Sequence, residues 1–600
     1  GGFFFFFNFF FKIFFFFFFF FFFFEIIKTN RSLFLFIIKK DHKMNSVYKR
    51  HDADSGNQTN THNSHYANLS YGTLIFEIMG VYLIVLFIFR KIYYYFNMFR
   101  SSTEKNSKLN LKLKKLIDNF INLNPYLHIP LILIISFAAK FFDFEITKMS
   151  VYYKKIARLS YVLTFTNLFL VIPRSNYFIF MTYLDSIRLH VWLSVFILLL
   201  STLHSFCFII KWLISGILIK KLFKPQNFIG LIIFVITFIL LAISLTDYRR
   251  RHYENFYLIH QLGMLSFIIL TILHADPHVF TPFGILNTGF LLVMVINKII
   301  NNSAADGDDP FVVKEVKDYG SLKIIKFTNN KINNLDNDYM NEDPLPLKFV
   351  PGSHLRLHES NILNWKYWLK PSHPYTLVSN NELILKKNEF SNFNNVFKPN
   401  TPLNLVGLFN PNESIECMLK EAERKRVSIV TGGSGISFAL PILRTLLIIN
   451  QKKDKDTDLV SLYWSIRQFE DAFIIVDFLE NLIDSEAIGV PQFFLKINVT
   501  GNDDQIKEEQ KEILKTQLNQ YKGSLEFDVE YNNRFVVSSI APEEEFVSYS
   551  ADFKEWVICC GPSVMINDCK QFVDATNYKI DSDSVNSRNY IEFISEIYEF

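Results

Sequence analysis

The chain is poor in cysteine and nearly balanced in charge for its 600 residues. Its five cysteines, Cys207, Cys417, Cys559, Cys560 and Cys569, form no CxxC pair and no metal-ligand spacing. That argues against a disulfide framework, a zinc site and an iron–sulfur cluster. A formal net charge of +4 gives no bulk signal for nucleic acid, and no such partner is expected. Apolar residues are what the chain has in abundance: 50% are hydrophobic and 17% aromatic. This balance implies membrane segments diluted by a soluble part, in more than one domain.

Residues 3–24 are nearly all phenylalanine, broken by Asn8, Lys12 and Ile13. A run so uniform encodes no packing. The expectation is a low-complexity leader over 1–43 that is not native, with Met44 as initiator, and 1–43 is set aside for the fold. Residues 44–72 form a polar segment with glycosylation-type sequons at Asn57 and Asn68, a weak pointer to an extracellular or lumenal N-terminus.

Between 73 and 300 lie apolar windows near the roughly 20 residues needed to cross a bilayer. Seven spans are expected, at 73–96, 127–145, 158–173, 189–210, 228–246, 257–274 and 283–299. The basic loops holding Arg100, Lys105, Lys108, Lys112, Lys114 and Lys115, and Arg249, Arg250 and Arg251, should both be cytosolic. The lysines at 211, 220, 221 and 224 count against this topology, which puts them outside. It leaves everything after the seventh span in the cytosol.

Composition changes after 300. Residues 301–310 read as a linker. Short runs such as "SLKIIKF", "HLRLH" and "NELILKK", broken by turn residues, suggest a small antiparallel barrel over 301–420. From 421 to 600 the pattern is strand, helix, strand, a βαβ unit with a parallel sheet, and 501–555 is expected to be an acidic surface insertion.

Two of the spans carry paired histidines. His190 and His204 lie fourteen residues apart on the fourth, and His260 and His274 fourteen apart on the sixth. Fourteen residues turn a helix through about 1400°, 40° short of four turns, and climb about 21 Å. Each pair therefore shares one face and spans the membrane's depth. Two such helices build two bis-imidazole sites stacked along the membrane normal, fit for axial haem ligation. The topology makes His190 and His260 the inner site and His204 and His274 the outer. A proton relay is the rival reading, but relays recruit carboxylates and none lies near these rings. His128 is expected to be structural, and His278 a loop residue or a contact for an external substrate.

In the soluble half, "PSHPYTLVS" offers His373, Pro374, Tyr375 and Thr376, an aromatic and a hydroxyl on a strand that can meet an isoalloxazine ring; an ordinary strand start is an equal reading. "VTGGSGIS" places Gly432, Gly433, Ser434 and Gly435 between a strand and a helix, where backbone N–H groups and the helix dipole favour phosphate. A plain tight turn is the alternative. Arg467, after the next strand, suits a 2′-phosphate and so NADPH, or is simply solvated. "WVICCGP" ends a further strand with Cys560, Gly561 and Pro562, where nicotinamide would lie, while Cys559 reads as core.

The His-x13-His spans, "HPYT", "GGSGIS" and "CCGP", in this order, resemble the fungal ferric reductase and NADPH oxidase superfamily. The polar lead and "GGSGISFALP" look most like its metalloreductase branch. The resemblance covers about 45–600. It implies a multi-pass α-helical haem domain, then a ferredoxin-reductase-like FAD β-barrel and an α/β NADP-binding domain. By motif match His373–Thr376 take flavin positions, Gly432–Gly435 the nucleotide loop and Cys560–Pro562 its nicotinamide end. The family's Gly-rich turn after the flavin strand is absent from "ILKKNEFSNF"; Lys386 or Lys387 is expected to compensate. Phe600 is a candidate for the terminal aromatic that covers flavin in relatives.

The function expected is transmembrane electron transfer from cytosolic NADPH through FAD and two b-type haems to Fe³⁺ or Cu²⁺ outside. Superoxide production from O₂ is the alternative within the same architecture. A transporter with a degenerate reductase tail is disfavoured by the intact nucleotide loop. An inactive scaffold binding partners through 501–555 is a further alternative. The membrane is expected to be the plasma membrane, or else the endoplasmic reticulum.

Overall fold

The structure is a computed structural model. Its described residues run from 58 to 596, with 100–115, 172–182, 330–348, 538–552 and several shorter stretches outside them. The poly-Phe leader and Phe600 lie outside the described residues. His278, expected in a loop, lies instead on the helix Pro277–Ser303.

The apolar windows fold as helices, the conformation that satisfies every backbone group within one segment. In chain order they are α1 (Gln58–Phe99), α2 (Pro125–Ala138), α3 (Met149–Val171), α4 (Tyr183–Ile214), the short α5 (Leu218–Leu222), α6 (Pro225–Ile243), α7 (Thr246–Arg251), α8 (Tyr253–His274) and α9 (Pro277–Ser303). Helix α1 begins inside the segment expected to be a polar lead, so Asn68 lies on a helix. Four of these helices are long and apolar enough to cross a membrane over 70–93, 186–214, 225–243 and 253–274, while α2 and residues 283–296 of α9 are shorter apolar stretches. Their outward residues are apolar too: Leu199, Leu203, Phe206 and Ile210 on α4 are exposed, as are Leu262, Leu265, Ile269 and Leu273 on α8. A contiguous apolar exterior of this kind suits lipid.

α3 packs along α4, α6 packs on both α4 and α8, and α9 packs on α8 and α3. α4 and α8 are not close backbone neighbours. A gap is thereby left between the two histidine-bearing helices, bridged by side chains.

The soluble half begins with a closed barrel in the order β1-β2-β5-β4-β3-β6. Its strands are β1 (Phe311–Tyr319), β2 (Leu322–Asn329), β3 (His354–His358), β4 (His373–Ser379), β5 (Glu382–Lys386) and β6 (Pro402–Phe409), with α10 (Trp365–Leu369) between β3 and β4 and α11 (Glu413–Lys420) after β6. Phe327, Leu355, Leu357, Leu377 and Leu383 fill it. All pairings are antiparallel, and the consecutive pairs β1–β2 and β4–β5 are joined by short turns.

The rest is a parallel sheet ordered β10-β9-β8-β7-β11-β12. It comprises β7 (Lys425–Gly432), α12 (Ile436–Gln451), β8 (Leu459–Ile466), α13 (Phe473–Glu486), β9 (Phe493–Val499), α14 (Glu508–Asn519), β10 (Leu525–Tyr531), β11 (Lys554–Cys560), α15 (Ser563–Ser582) and β12 (Glu592–Glu596). β7 is central and covered on both faces, and six of its eight residues are buried. α12 is apolar and long enough to pass for a span, yet it is buried between sheet and barrel. Residues 501–555 are not merely a surface excursion. Leu525, Phe527 and Val529 pack on the core, and β10 pairs in parallel with β9 as the edge strand. Alternating acidic residues on its other face disguise it in the sequence.

Candidate functional site

The histidines of α4 and α8 face each other pairwise. The rings of His190 and His260 have centres 6.3 Å apart, and so do those of His204 and His274. Two imidazoles on opposite faces of one iron, with metal–nitrogen bonds of about 2 Å, have ring centres roughly 6 Å apart.

The second nitrogens are also accounted for. His204 Nδ1 donates to the Tyr153 carbonyl at 2.8 Å, and His274 Nδ1 to the Gln226 carbonyl at 2.7 Å. Such bonds fix the tautomer and leave Nε2 free as a ligand atom. His190 Nδ1 makes a long contact of 3.4 Å with the Asn167 carbonyl, and Ser194 Oγ stands 3.4 Å from its Nε2. His260 stacks on Phe256, and its buried Nδ1 has no hydrogen-bond partner. Imidazoles paired across a gap between two helices fit a haem at both levels. Among the described residues no three His, Cys, Asp or Glu side chains gather to hold a bare metal ion. His128 is buried between Tyr82, whose hydroxyl meets its Nδ1, and the Phe120 carbonyl, a structural role.

Gly230 on α6 packs against the His204–His274 pair, a neighbour that the sequence reading missed. A Cβ there would stand 2.5 Å from the His274 ring. The only signal was a lone glycine within an apolar run.

In the soluble half, His373–Thr376 form the start of β4, hydrogen-bonded to β3 beside Arg356 and Leu357. His373 and Thr376 are buried, and Pro374 and Tyr375 half-buried. Burial, with Arg356, His358 and Lys370 nearby, holds the His373 ring's pKa down at about 3, so it is neutral. Arg356, also overlooked, grips the motif from outside: its Nε donates to Ser372 Oγ and its Nη2 to the Ser372 carbonyl, each at 2.8 Å. Lys386 is exposed at the end of β5, opposite Leu322, while Lys387 pairs with Asp318 at 3.3 Å. The exposed β5 end, with a half-buried tyrosine and a buried threonine on the next strand, supplies the donor types a flavin needs.

The glycine turn joins β7 to α12 through a single 3₁₀ turn, Gly433–Gly435. Gly433 has φ +53°, and nothing lies within 4 Å of where its side chain would start, so the turn is open to a ligand. Gly435 is the opposite case. Its Cβ would sit 2.6 Å from the Cys560 carbonyl oxygen and 2.7 Å from Thr431 Oγ1. β7 and β11 are parallel neighbours, with Thr431 opposite Cys560, so the turn and the Cys560–Pro562 segment form one surface at the sheet's carboxyl edge. That edge of an open parallel sheet is where nucleotides bind. Trp464 Nε1 donates to the Gly433 carbonyl at 3.1 Å and holds the turn from beneath. Arg467 is exposed just past the end of β8, the strand beside β7. Cys559 and Cys560 are both buried. Burial, aided by Glu596, pushes the Cys560 thiol well up, so it is not a thiolate.

The family model described as "Ferric reductase like transmembrane component" matches residues 156–271, a stretch containing His190, His204 and His260 but ending short of His274. "Ferric reductase NAD binding domain" matches residues 424–574, which hold the glycine turn, Arg467 and Cys560–Pro562. The protein called "Probable metalloreductase AIM14" from Saccharomyces cerevisiae (strain YJM789) is 31% identical over 441 residues, covering 70% of this chain and 71% of its own. One of the same name from Kluyveromyces lactis is 28% identical over 569 residues, covering 89% and 97%. A ferredoxin-NADP+ reductase from Plasmodium falciparum aligns with 48% of this chain and 95% of its own at 12% identity and a TM-score of 0.27, a likeness too loose to carry an argument.

Proposed function

Because the chain belongs to the ferric reductase family, in its metalloreductase branch, we propose that it carries electrons from cytosolic NADPH across a membrane to ferric iron or cupric copper. It is an NAD(P)H-dependent membrane oxidoreductase. The observation that carries the finer reading is the equal 6.3 Å separation of two histidine pairs fourteen residues apart on the same two helices.

In this reading residues 73–300 form the haem domain, 301–420 the FAD barrel and 421–600 the NADP domain, with everything after α9 in the cytosol of a plasma-membrane or endoplasmic-reticulum protein. His190 with His260, and His204 with His274, hold two haem b groups. His373, Pro374, Tyr375, Thr376 and Lys386 hold FAD, with Phe600 over it. Gly432, Gly433, Ser434, Gly435 and Arg467 hold NADPH, its nicotinamide end at Cys560, Gly561 and Pro562. When bound, FAD accepts a hydride and releases electrons singly, and bis-histidine haems relay single electrons.

The chain's own part is placement and exclusion. The glycine turn lets backbone amides approach phosphate with no side chain in the way. Trp464 keeps that turn from collapsing. Neutral His373 donates or accepts without adding charge beside Arg356. The Tyr153 and Gln226 carbonyls orient His204 and His274.

A dithionite-reduced spectrum of membranes, wild type beside His204→Ala, tests the reading. A b-type haem band in the wild type, roughly halved in the variant, is expected. Absence of any such band in the wild type overturns it. The acceptor is settled separately: metal reduction that persists without oxygen and resists superoxide dismutase supports the metalloreductase, whereas loss under both conditions makes O₂ the acceptor.

A further inference from the structure

Lys298 links the membrane helices to the barrel domain. Lys298 lies near the C-terminal end of α9. Its Nζ donates to the Tyr367 carbonyl at 2.8 Å and stands 4.7 Å from the Tyr367 ring centre and 5.3 Å from that of Trp368. The Tyr367 hydroxyl donates back to the Lys298 carbonyl at 3.3 Å. Tyr367 is fully buried, its ring 4.7 Å from that of His358 on β3. An ammonium at the foot of an apolar helix is unfavourable unless satisfied, and a carbonyl with two aromatic faces satisfies it.

The latch joins elements next to those that carry the candidate flavin motif and the inner histidine pair. α10, which carries Tyr367, also touches α8, the helix of His260, and α9 touches β6. Only five residues separate Tyr367 from His373. The intervening chain is pinned where Arg356 grips Ser372 at 2.8 Å. A second seam lies further off, where α11 rests on α1.

We propose that Lys298 and Tyr367 are positioning residues that hold the flavin strand at a fixed distance from the inner histidine pair, for electron transfer from flavin to the inner haem. The proposal rests on the function argued above. The step moves one electron from reduced flavin to ferric haem, and no atom changes hands. Electron tunnelling weakens exponentially with the gap between donor and acceptor, so a barrel loosened on its seat slows this step first; displacements of about 1 Å are enough to matter in a preorganised site.

The test uses the full-length protein in nanodiscs. NADPH is mixed anaerobically with wild type, Lys298→Met, Lys298→Arg and Tyr367→Phe, while flavin bleaching and haem reduction are followed at separate wavelengths. Lys298→Met should slow haem reduction at least about tenfold and leave flavin bleaching within about twofold, and Lys298→Arg should recover most of the rate. Haem reduction at the wild-type rate in Lys298→Met, or equal slowing of both phases, overturns the proposal. Tyr367→Phe deletes one hydroxyl and should slow haem reduction by about threefold, which keeps the comparison available if the methionine variant misfolds. Hydrogen exchange supplies a readout independent of cofactors. Amides of 363–370 should lose protection in Lys298→Met while those of 425–451 keep theirs; unchanged protection overturns the latch. If the wild type lacks haem altogether, the proposed function fails, and exchange alone decides whether the latch exists.

Discussion

Gly230 lies flat against His274: a Cβ built on the glycine would stand 2.5 Å from the ring's Cε1 and 2.7 Å from its Nδ1. The bare backbone of α6 is what lets the ring turn its Nδ1 to the Gln226 carbonyl and leave Nε2 for the partner side. Gly230→Val should therefore expel His274 from this pose. The expected outcome is one haem per chain in place of two by pyridine haemochrome assay, with NADPH-driven dye reduction at the flavin retained. An unchanged haem count would remove His274 from the outer site.

Gly435 answers to a different constraint. Its Cβ would meet the Cys560 carbonyl and Thr431 Oγ1, both fixed at strand ends. Gly435→Ala should overpack the β7–β11 edge by about 1–3 kcal/mol and raise the KM for NADPH about tenfold. Steady-state dye reduction checks this, and the dithionite-reduced haem spectrum should be that of the wild type.

Asp471 ties the nucleotide sheet to the barrel. Its Oδ1 accepts from the Ser321 and Leu322 amides at 2.8 and 3.0 Å, and its Oδ2 from Ser321 Oγ at 2.6 Å. Asp471→Ala leaves those buried amides without this acceptor, a loss of about 2–4 kcal/mol. The thermal transition of the C-terminal half should fall, and flavin reduction by NADPH should slow with it. A variant as stable as wild type would show that the hairpin's other contacts, among them the Lys317–Asp477 ion pair, suffice to dock it.

Glu555 gives the C-terminal half a pH dependence. It is 2% exposed, and burial raises its pKa to about 7 although Arg426 lies 3.5 Å away. The unfolded carboxyl titrates near 4.5, so the folded chain holds the proton more tightly. This stabilisation is complete below pH 4.5 and is lost as pH rises through about 7, on the order of 3 kcal/mol in all. Glu555→Gln cannot ionise and should flatten the slope. Urea midpoints at about pH 5 and about pH 8 measure it, and equal slopes in the two proteins would assign the dependence elsewhere.

Much of the candidate site was legible because it is local. "GGSGIS" follows β7 and opens α12 as its residue types require, and "HPYT" starts a barrel strand. What stayed hidden depends on residues far apart in sequence. Trp464 was visible within "YWSIRQ", but its bond to Gly433 exists only because β8 lies beside β7. Arg356 reaches Ser372 through barrel pairing, and β10 escaped notice because an edge strand with an acidic face reads as loop.

The sequence by itself determined that His190 and His204, and His260 and His274, lie on common helix faces about 21 Å apart, because helix phase follows from residue spacing alone. It also determined the order of barrel and parallel sheet, through runs and breakers that act over a few residues. Only the tertiary structure decided that α4 and α8 turn those faces toward each other across a gap, that Gly230 makes room for one ring, and that Lys298 meets Tyr367. Those relations join segments tens of residues apart, and their geometry is set by packing that no single segment encodes.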